Sequence, residues 1–413
     1  MINLNSSSSL LGGSRHGSPQ SKRNVLKMNR VIAALHNRET VLYLISTMGA
    51  LSQLQIARLT QLQPSTVSYI IRELKARGLV REGRDIPTER AGPKETLIEM
   101  NPTAAWSVGL TLDALGNKMC LMNAAGHIIC QRSFSPEPSI ARFLDLVPSL
   151  LEELVGQYHL QMDEETFTTV SVPGVVNAVT GCVLNSISLH LENYPLAEQL
   201  SKALQHPVLV ERNTVCGAYA ERHLGAARRR DHFLYFLARP QMSVTPGARE
   251  YSCGLAMVMN GEIYHGFNSA AGELHGGLLQ SFQNEQAPFL TGRFLEQKDI
   301  ATALRPLGKG LASLVDLLDP EMLVICSDEE LLPNDSMQIL KETILESLIA
   351  VPGRKLEIAR SLLGIDGTLY GASLMGLHRG LRRRLELSTS KDNTEGRPST
   401  LRPPRSALDP TAE

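Results

Sequence analysis

Residues 51–82 read LSQLQIARLTQLQPSTVSYIIRELKARGLVRE, and this stretch decides how the first part of the chain folds. Ser52 followed three residues later by Gln55 is a capping box, so a short helix carrying Leu54, Ile56, Ala57 and Leu59 is expected to open there. A tight turn at Gln61–Gln63 precedes Pro64, a residue suited to the first helical position. The second helix is predicted to run to about Arg77, with Gly78 stopping it. Val67, Ile70, Ile71 and Leu74 fall on one face at helical spacing, which leaves Ser65, Thr66, Ser68, Tyr69 and Arg72 on the other. Two short helices about a tight turn, the second polar and basic outside, suit a major groove; an ordinary helical hairpin with a solvated face is the alternative.

Working outward, a helix is expected from about Val25 to Met48, with a break near His36–Asn37. Beyond Gly78, the segments Leu79–Glu82 and Thr96–Met100 flank a polar loop, forming a hairpin wing that offers Arg84, Arg90 and Lys94 to phosphate or minor groove. From Lys22 to Met100 there are thirteen Lys or Arg against seven Asp or Glu, an excess of six in a chain whose net charge is −1. A basic module on an acidic body is the distribution expected when only the first part meets DNA. The six cysteines form no CxxC pair and read as small buried hydrophobes. No apolar run is long enough for a signal peptide or a membrane span, so a cytoplasmic protein is expected.

The texture changes from Trp106. Strands at 108–112, 118–123 and 127–134, a helix at 140–158, strands at 168–172 and 208–211, and a helix at 195–204 alternate as in an α/β body. A second half starts near Phe233, with a helix at 300–318, a strand at 322–325 and helical runs to Leu385. The expected division is a disordered tail at 1–24, a winged helix-turn-helix domain at 25–100, a first α/β lobe at 101–232, a second lobe at 233–387 for ligand and oligomerisation, and a disordered tail at 388–413.

This order of pieces, from Asn29 to Leu381, resembles the ROK family of repressors, open reading frames and sugar kinases. The most specific matches are SVPGVVNAVTGCVLNS at 171–186, MNGEIYHGFNSAAGELHG at 259–276 and LLDPEMLVI at 317–325. The resemblance implies an N-terminal winged helix-turn-helix on a two-lobed body of the sugar-kinase, hexokinase and actin-like ATPase fold. In the kinases of the family, the base is the Asp of a Glu-Asn-Asp motif; the matching residues here are Glu211, Arg212 and Asn213, and an amide cannot take a proton. The first phosphate loop matches Thr111–Leu115, which lacks the glycines that admit phosphate, and Asp113 falls two places late for its acid. The second is replaced by LARPQMSVTPGAREYSCG at 237–254, and the Gly-Gly pair near the adenosine by Cys326-Ser327. These departures imply a chain that is no kinase and needs no cofactor.

The family's sugar-binding glutamate matches Glu273, and a second one Glu296. The family's His matches Gly276, with His275 one place early. Arg212 stands where the family has Asn: it either makes an anionic effector such as a sugar phosphate or sugar acid attractive, or fills a vacated pocket and pairs with Glu211 or Glu273. The zinc-binding cysteines of the family have no counterpart in QAPFLTGRFLEQ at 286–297, so no metal is expected. The resemblance implies a DNA-binding regulator, a repressor of carbohydrate-related genes, acting as a homodimer or homotetramer on a palindromic operator. Gln63, Ser65, Thr66, Ser68, Tyr69 and Arg72 would face the bases, Arg84, Arg90 and Lys94 would serve from the wing, and Arg212, Asn213, Glu273, His275 and Glu296 would surround a sugar-derived effector. The rival readings are a sugar kinase with an appended DNA-binding domain and an effector-independent DNA-binding oligomer.

Overall fold

The computed structural model describes residues 19–86, 95–114, 116–137, 139–241, 250–274, 300–327 and 332–395. Helix α1 (Pro19–Met48) leads into β1 (Leu51–Ser52), α2 (Gln53–Thr60) and α3 (Pro64–Ala76). Strands β2 (Val80–Ile86) and β3 (Glu95–Met100) form the wing, in a sheet of order β1-β3-β2. The capping box is formed: Gln55 N–H donates to Ser52 Oγ at 3.2 Å and Ser52 N–H to Gln55 Oε1 at 2.9 Å. Gln61 turns the chain in the left-handed region at φ 56°, so a side chain bears the strain of this turn. Val67, Ile70, Ile71 and Leu74 of α3 are buried against Ile56 of α2 and Val41 and Ile45 of α1.

Helix α1 differs from expectation at both points. It is continuous through His36–Asn37, where no Gly or Pro interrupts it, and it begins at Pro19, inside the segment expected to be disordered. Likewise, the last helix runs on to Glu395, past Ser388, because no Gly or Pro intervenes before Gly396.

The body holds two five-stranded sheets of one topology. In the first, β4 (Trp106–Thr111), β5 (Asn117–Asn123) and β6 (Ile128–Phe134) form an antiparallel meander. Strands β7 (Thr168–Val172) and β11 (Val208–Arg212) add parallel to β4, giving β11-β7-β4-β5-β6. A small sheet of β8 (Val175–Asn177), β9 (Cys182–Ser186) and β10 (Leu191–Tyr194) hangs from the end of β7; the sequence reading had not assigned it. In the second sheet, β12 (Phe233–Gln241), β13 (Glu250–Met259) and β14 (Glu262–Ile263) repeat the meander, and β15 (Met322–Cys326) and β16 (Glu357–Arg360) repeat the parallel extension, giving β14-β13-β12-β15-β16.

The helices repeat as well. Helices α4 (Ile140–Gln157), α5 (Leu196–Leu204) and α6 (Asn213–His223) follow the strands of the first lobe as α7 (Ile300–Leu318), α8 (Asn334–Ser347) and α9 (Gly367–Glu395) follow those of the second. Helices α6 and α9 pack closely because Gly371 lies against the backbone of Cys216; a Cβ there would come within 1.7 Å of the Cys216 carbonyl oxygen. The far half of α9 reaches the N-terminal domain. Leu374, Leu377, Leu381 and Leu385 share one apolar core with Val41, Leu42 and Ile45 of α1. At about 1.5–3 kcal/mol for each fully buried leucine, that seam holds the N-terminal domain firmly on the body. Among the described residues no helix is long and apolar enough to cross a membrane.

Candidate functional site

The first candidate surface is the outer face of α3. Burying Val67, Ile70, Ile71 and Leu74 turns Gln63, Ser65, Ser68, Tyr69 and Arg72 outward, with Thr66 half-buried. Arg72 lies over the Tyr69 ring, 5.6 Å from its centroid, a cation–π pair that stiffens two long side chains at the middle of the face. Ser68 Oγ donates to Gln53 Oε1 of α2 at 2.8 Å, tying the two helices on their exposed side. Glu73, on the opposite edge, accepts from Arg38 Nε of α1 at 2.8 Å and also pairs with Arg77, so the acid of α3 is neutralised away from the polar face. Exposed Arg58 on α2 adds a charge that the periodicity argument, confined to the second helix, passed over. Arg84 lies on β2 beside a register shift between Glu82 and Asp85, whereas Arg90 and Lys94 fall outside the described residues.

The second candidate site lies where the lobes meet, at the C-terminal ends of parallel strands β4 and β11, the place where open α/β sheets hold ligands. Arg212 ends β11 and is the N-cap residue of α6; its side chain is 1 % exposed. From this first-lobe position it crosses to the second lobe. Nη1 donates to the Ala271 carbonyl at 2.6 Å and lies 3.4 Å from Glu273 Oε1. Nε and Nη2 are buried and have no hydrogen-bond partner among the described residues. Gly272 makes the crossing feasible: it sits at φ 89° with the Leu255 carbonyl oxygen where a Cβ would be, and so brings Ala271 and Glu273 against β13. Glu211, beside Arg212, is not its partner. Its Oε2 meets His265 Nε2 at 2.8 Å, and its Oε1 accepts the Arg212 backbone N–H. The Asn213 side chain turns back to accept Thr214 N–H at 2.7 Å.

Of the expected effector residues, Arg212, Asn213 and Glu273 are therefore neighbours, with the Glu273 side chain 40 % exposed. His275 and Glu296 lie outside the described residues. His265 was missed, although it stands within the quoted 259–276 stretch; its signal was an imidazole opposite an acid that the strand end would bury.

A third cross-lobe contact concerns the segments that match phosphate loops. Asp113, just past β4, pairs with Arg239 of β12 at 2.9 Å, both side chains being nearly buried, and Asp113 N–H donates to Asn117 Oδ1 at 2.9 Å. A carboxylate there opposes phosphate and engages the cation that could have neutralised it. Cys326, at the end of β15, is buried, and burial pushes its thiol above the ordinary range, as it pushes Cys120 and Cys253 up to about 12; these are packing groups, not nucleophiles.

Residues 110–286 match the model of the ROK family, and residues 40–91 that of the MarR family. The xylose repressor of Caldicellulosiruptor bescii is 21% identical over 397 residues, which cover 84% of this chain and 96% of that protein. NagC of Escherichia coli, a DNA-binding transcriptional dual regulator, is 24% identical over 240 residues, 58% of this chain and 56% of its own length. Among solved structures, a ROK family transcriptional regulator, a homolog of the E. coli MLC protein, aligns over 86% of this chain and 99% of its own at a TM-score of 0.63 and 20% identity.

Proposed function

We propose that this chain, whose residues 110–286 match the ROK family and residues 40–91 the MarR family, is a transcriptional repressor of carbohydrate-related genes, switched by a sugar-derived effector in the interlobe cleft. The observation that carries the DNA-binding half is the outer face of α3. Gln63, Ser65, Thr66, Ser68, Tyr69 and Arg72 are presented together on a helix whose other face is locked in a core. Arg84, Arg90 and Lys94 act from the wing on phosphate. The protein works in the cytoplasm as a homodimer or homotetramer, and its two-fold symmetry is matched by a palindromic operator.

The body senses and does not phosphorylate. Asn213 supplies no base, and the Asp113–Arg239 pair stands where a kinase would cradle phosphate. The effector is an anionic carbohydrate, a sugar phosphate or sugar acid. Its support is the Nε–Nη2 edge of Arg212, buried and unpartnered among the described residues, a fork whose spacing matches two oxygens of a carboxylate or phosphate. Glu273, half in solvent beside it, accepts from sugar hydroxyls.

The test is to select duplexes from a random pool with the full-length chain, and then to titrate the winner with and without xylose, N-acetylglucosamine, glucose 6-phosphate and gluconate. A palindromic winner is expected, with an anionic member of the panel shifting its Kd by about fivefold or more. Failure to enrich any duplex overturns the DNA-binding reading, and a shift by the neutral sugars alone overturns the assignment of Arg212. Arg72→Ala is expected to weaken binding by about 1–3 kcal/mol without altering thermal unfolding.

A further inference from the structure

Helix α6 begins at the interlobe cleft and ends against the DNA-reading domain. Its N-cap is Arg212, and its last residue, His223, meets Tyr43 of α1 through Tyr43 Oη and His223 Nε2 at 2.8 Å. The helix has eleven residues, so a rod about 16 Å long joins cleft and reader with no loop between them.

The reader end is a closed ring of polar contacts. Tyr219 Oη, one turn back on α6, meets His378 Nδ1 of α9 at 2.6 Å, and His378 Nε2 faces Ser46 Oγ of α1 at 3.4 Å. His223 Nδ1 lies 2.6 Å from the Tyr219 carbonyl, so it carries the proton and donates. His223 Nε2 is then the acceptor for the Tyr43 hydroxyl. Ser46 Oγ gives its own proton to the Tyr43 carbonyl, which leaves it to accept from His378 Nε2–H, and His378 Nδ1 accepts the Tyr219 hydroxyl. Donors and acceptors are thus matched around the ring, and both imidazoles serve as neutral rings in a fixed tautomer. The four rings pack with centroids 4.2–5.7 Å apart, mostly edge to face.

A neutral network with one direction of donation tolerates little displacement, because a hydrogen bond weakens steeply as it misaligns. Beside it lies a cavity of about 360 Å³, lined by Glu39, Thr40, Tyr43, Glu262, His378 and Arg382, so α1 is not packed solidly on this side. At the other end of α6, closing Arg212 on an anion would pull its Nη1 from the Ala271 carbonyl or draw the second lobe with it. Either movement bears on the first turn of the same helix.

We propose that α6 carries occupancy of the cleft to the DNA-reading domain as a rigid rod, with Tyr43, Tyr219, His223 and His378 as the positioning residues that convert its displacement into a shift of α1. This rests on the cleft being the effector site, as proposed above.

The test uses the full chain without DNA or carbohydrate, so it decides even if the proposed function fails its own experiment. Hydrogen–deuterium exchange is compared for wild type, Tyr43→Phe, Arg212→Met and, as a control at the same junction, Arg382→Ala. The control breaks the contact of Arg382 with Glu39 of α1 without touching the ring. Tyr43→Phe removes a single oxygen, so the chain should remain folded; exchange in residues 208–216 and 262–274, at the far end of α6, should quicken at least threefold. Reciprocally, Arg212→Met should quicken exchange in residues 38–50, as linkage between two ends of one element requires. Arg382→Ala should leave the cleft peptides unchanged. Changes confined to the neighbourhood of each substitution would overturn the proposal, as would an equal response of the cleft to Arg382→Ala.

Discussion

Helix α6 carries two buried charges, and the molecule treats them in opposite ways. Glu221, near the C-terminal end, is 0 % exposed, and three donors converge on it. Ser361 Oγ reaches Oε1 at 2.5 Å and Leu363 N–H the same oxygen at 3.1 Å, while Ala226 N–H reaches Oε2 at 2.6 Å. Arg212, at the N-terminal end, is as deeply buried, yet only Nη1 finds partners. A buried ion costs several kcal/mol in lost hydration unless its hydrogen-bonding capacity is met. Glu221 meets that cost and fastens α6 to the end of β16 in the second lobe. Arg212 leaves it partly unmet among the described residues, as the receptor role proposed for it requires.

The sharpest way to break the comparison is Glu221→Ala. It leaves the Ser361 hydroxyl and the Leu363 and Ala226 amides without their acceptor, and a destabilisation on the order of 3–5 kcal/mol is expected from urea unfolding. A loss under about 1 kcal/mol would mean that Glu221 fastens nothing.

The next effect is that of pH on the reader end of α6. His223 is packed by Tyr43 of α1, Tyr219 of α6 and His378 of α9, with Arg222, Arg228 and Arg229 alongside and Glu262 close to the tyrosines. Burial lowers its pKa from 6.5 to about 4, and lowers that of His378 well below 6.5. The unfolded chain therefore takes up protons below pH 6.5 that the folded chain refuses. Acidification through the window from 6.5 to about 4 favours unfolding, and stability is retained above it. Between pH 7 and 5.5 the His223 ring should cost about 1.2 kcal/mol, at about 1.4 kcal/mol for each unit of pH below 6.5, and His378 acts in the same direction. In His223→Gln the His223 contribution should vanish. A slope unchanged by this substitution would place the sensitivity elsewhere.

How far these features could be read from the sequence depends on the range of the contacts that make them. The capping box at Ser52, the tight turn from Gln61, the buried face of α3 and the strand at 168–172 are set by neighbours within a few residues, and each stands as expected. The family motifs carried the lobes, because a Pro-Gly turn and a Gly-Glu step have few structural uses. Other features are set by partners far along the chain. Arg212 could be read either as a ligand receptor or as a partner of Glu273, and it is 59 residues from the carbonyl it bonds. Glu221 drew no notice, since two of its three donors lie 140 and 142 residues on, and Tyr43 meets His223 across 180 residues. Neither periodicity nor spacing carries such information, and a lone histidine on a helix has no pattern to announce it.

The smallest expected effect is the most informative about Arg212. Arg212→Met keeps an unbranched side chain of similar length in the same space. It forfeits the bond to the Ala271 carbonyl, worth about 1 kcal/mol net, but it also removes two buried donors that lack acceptors, each costing about 1–3 kcal/mol. These terms oppose one another, so the stability of the unliganded chain should move by no more than about 1 kcal/mol, far less than for Glu221→Ala at the other end of the helix. In melting temperature the difference should then appear only with ligand. Glucose 6-phosphate or gluconate at saturating concentration should raise the melting temperature of the wild type and leave that of Arg212→Met where it was, since a ligand stabilises only the state that binds it. If the substitution instead costs as much as Glu221→Ala, Arg212 is a fastener like its counterpart, and the open edge at the cleft is no receptor.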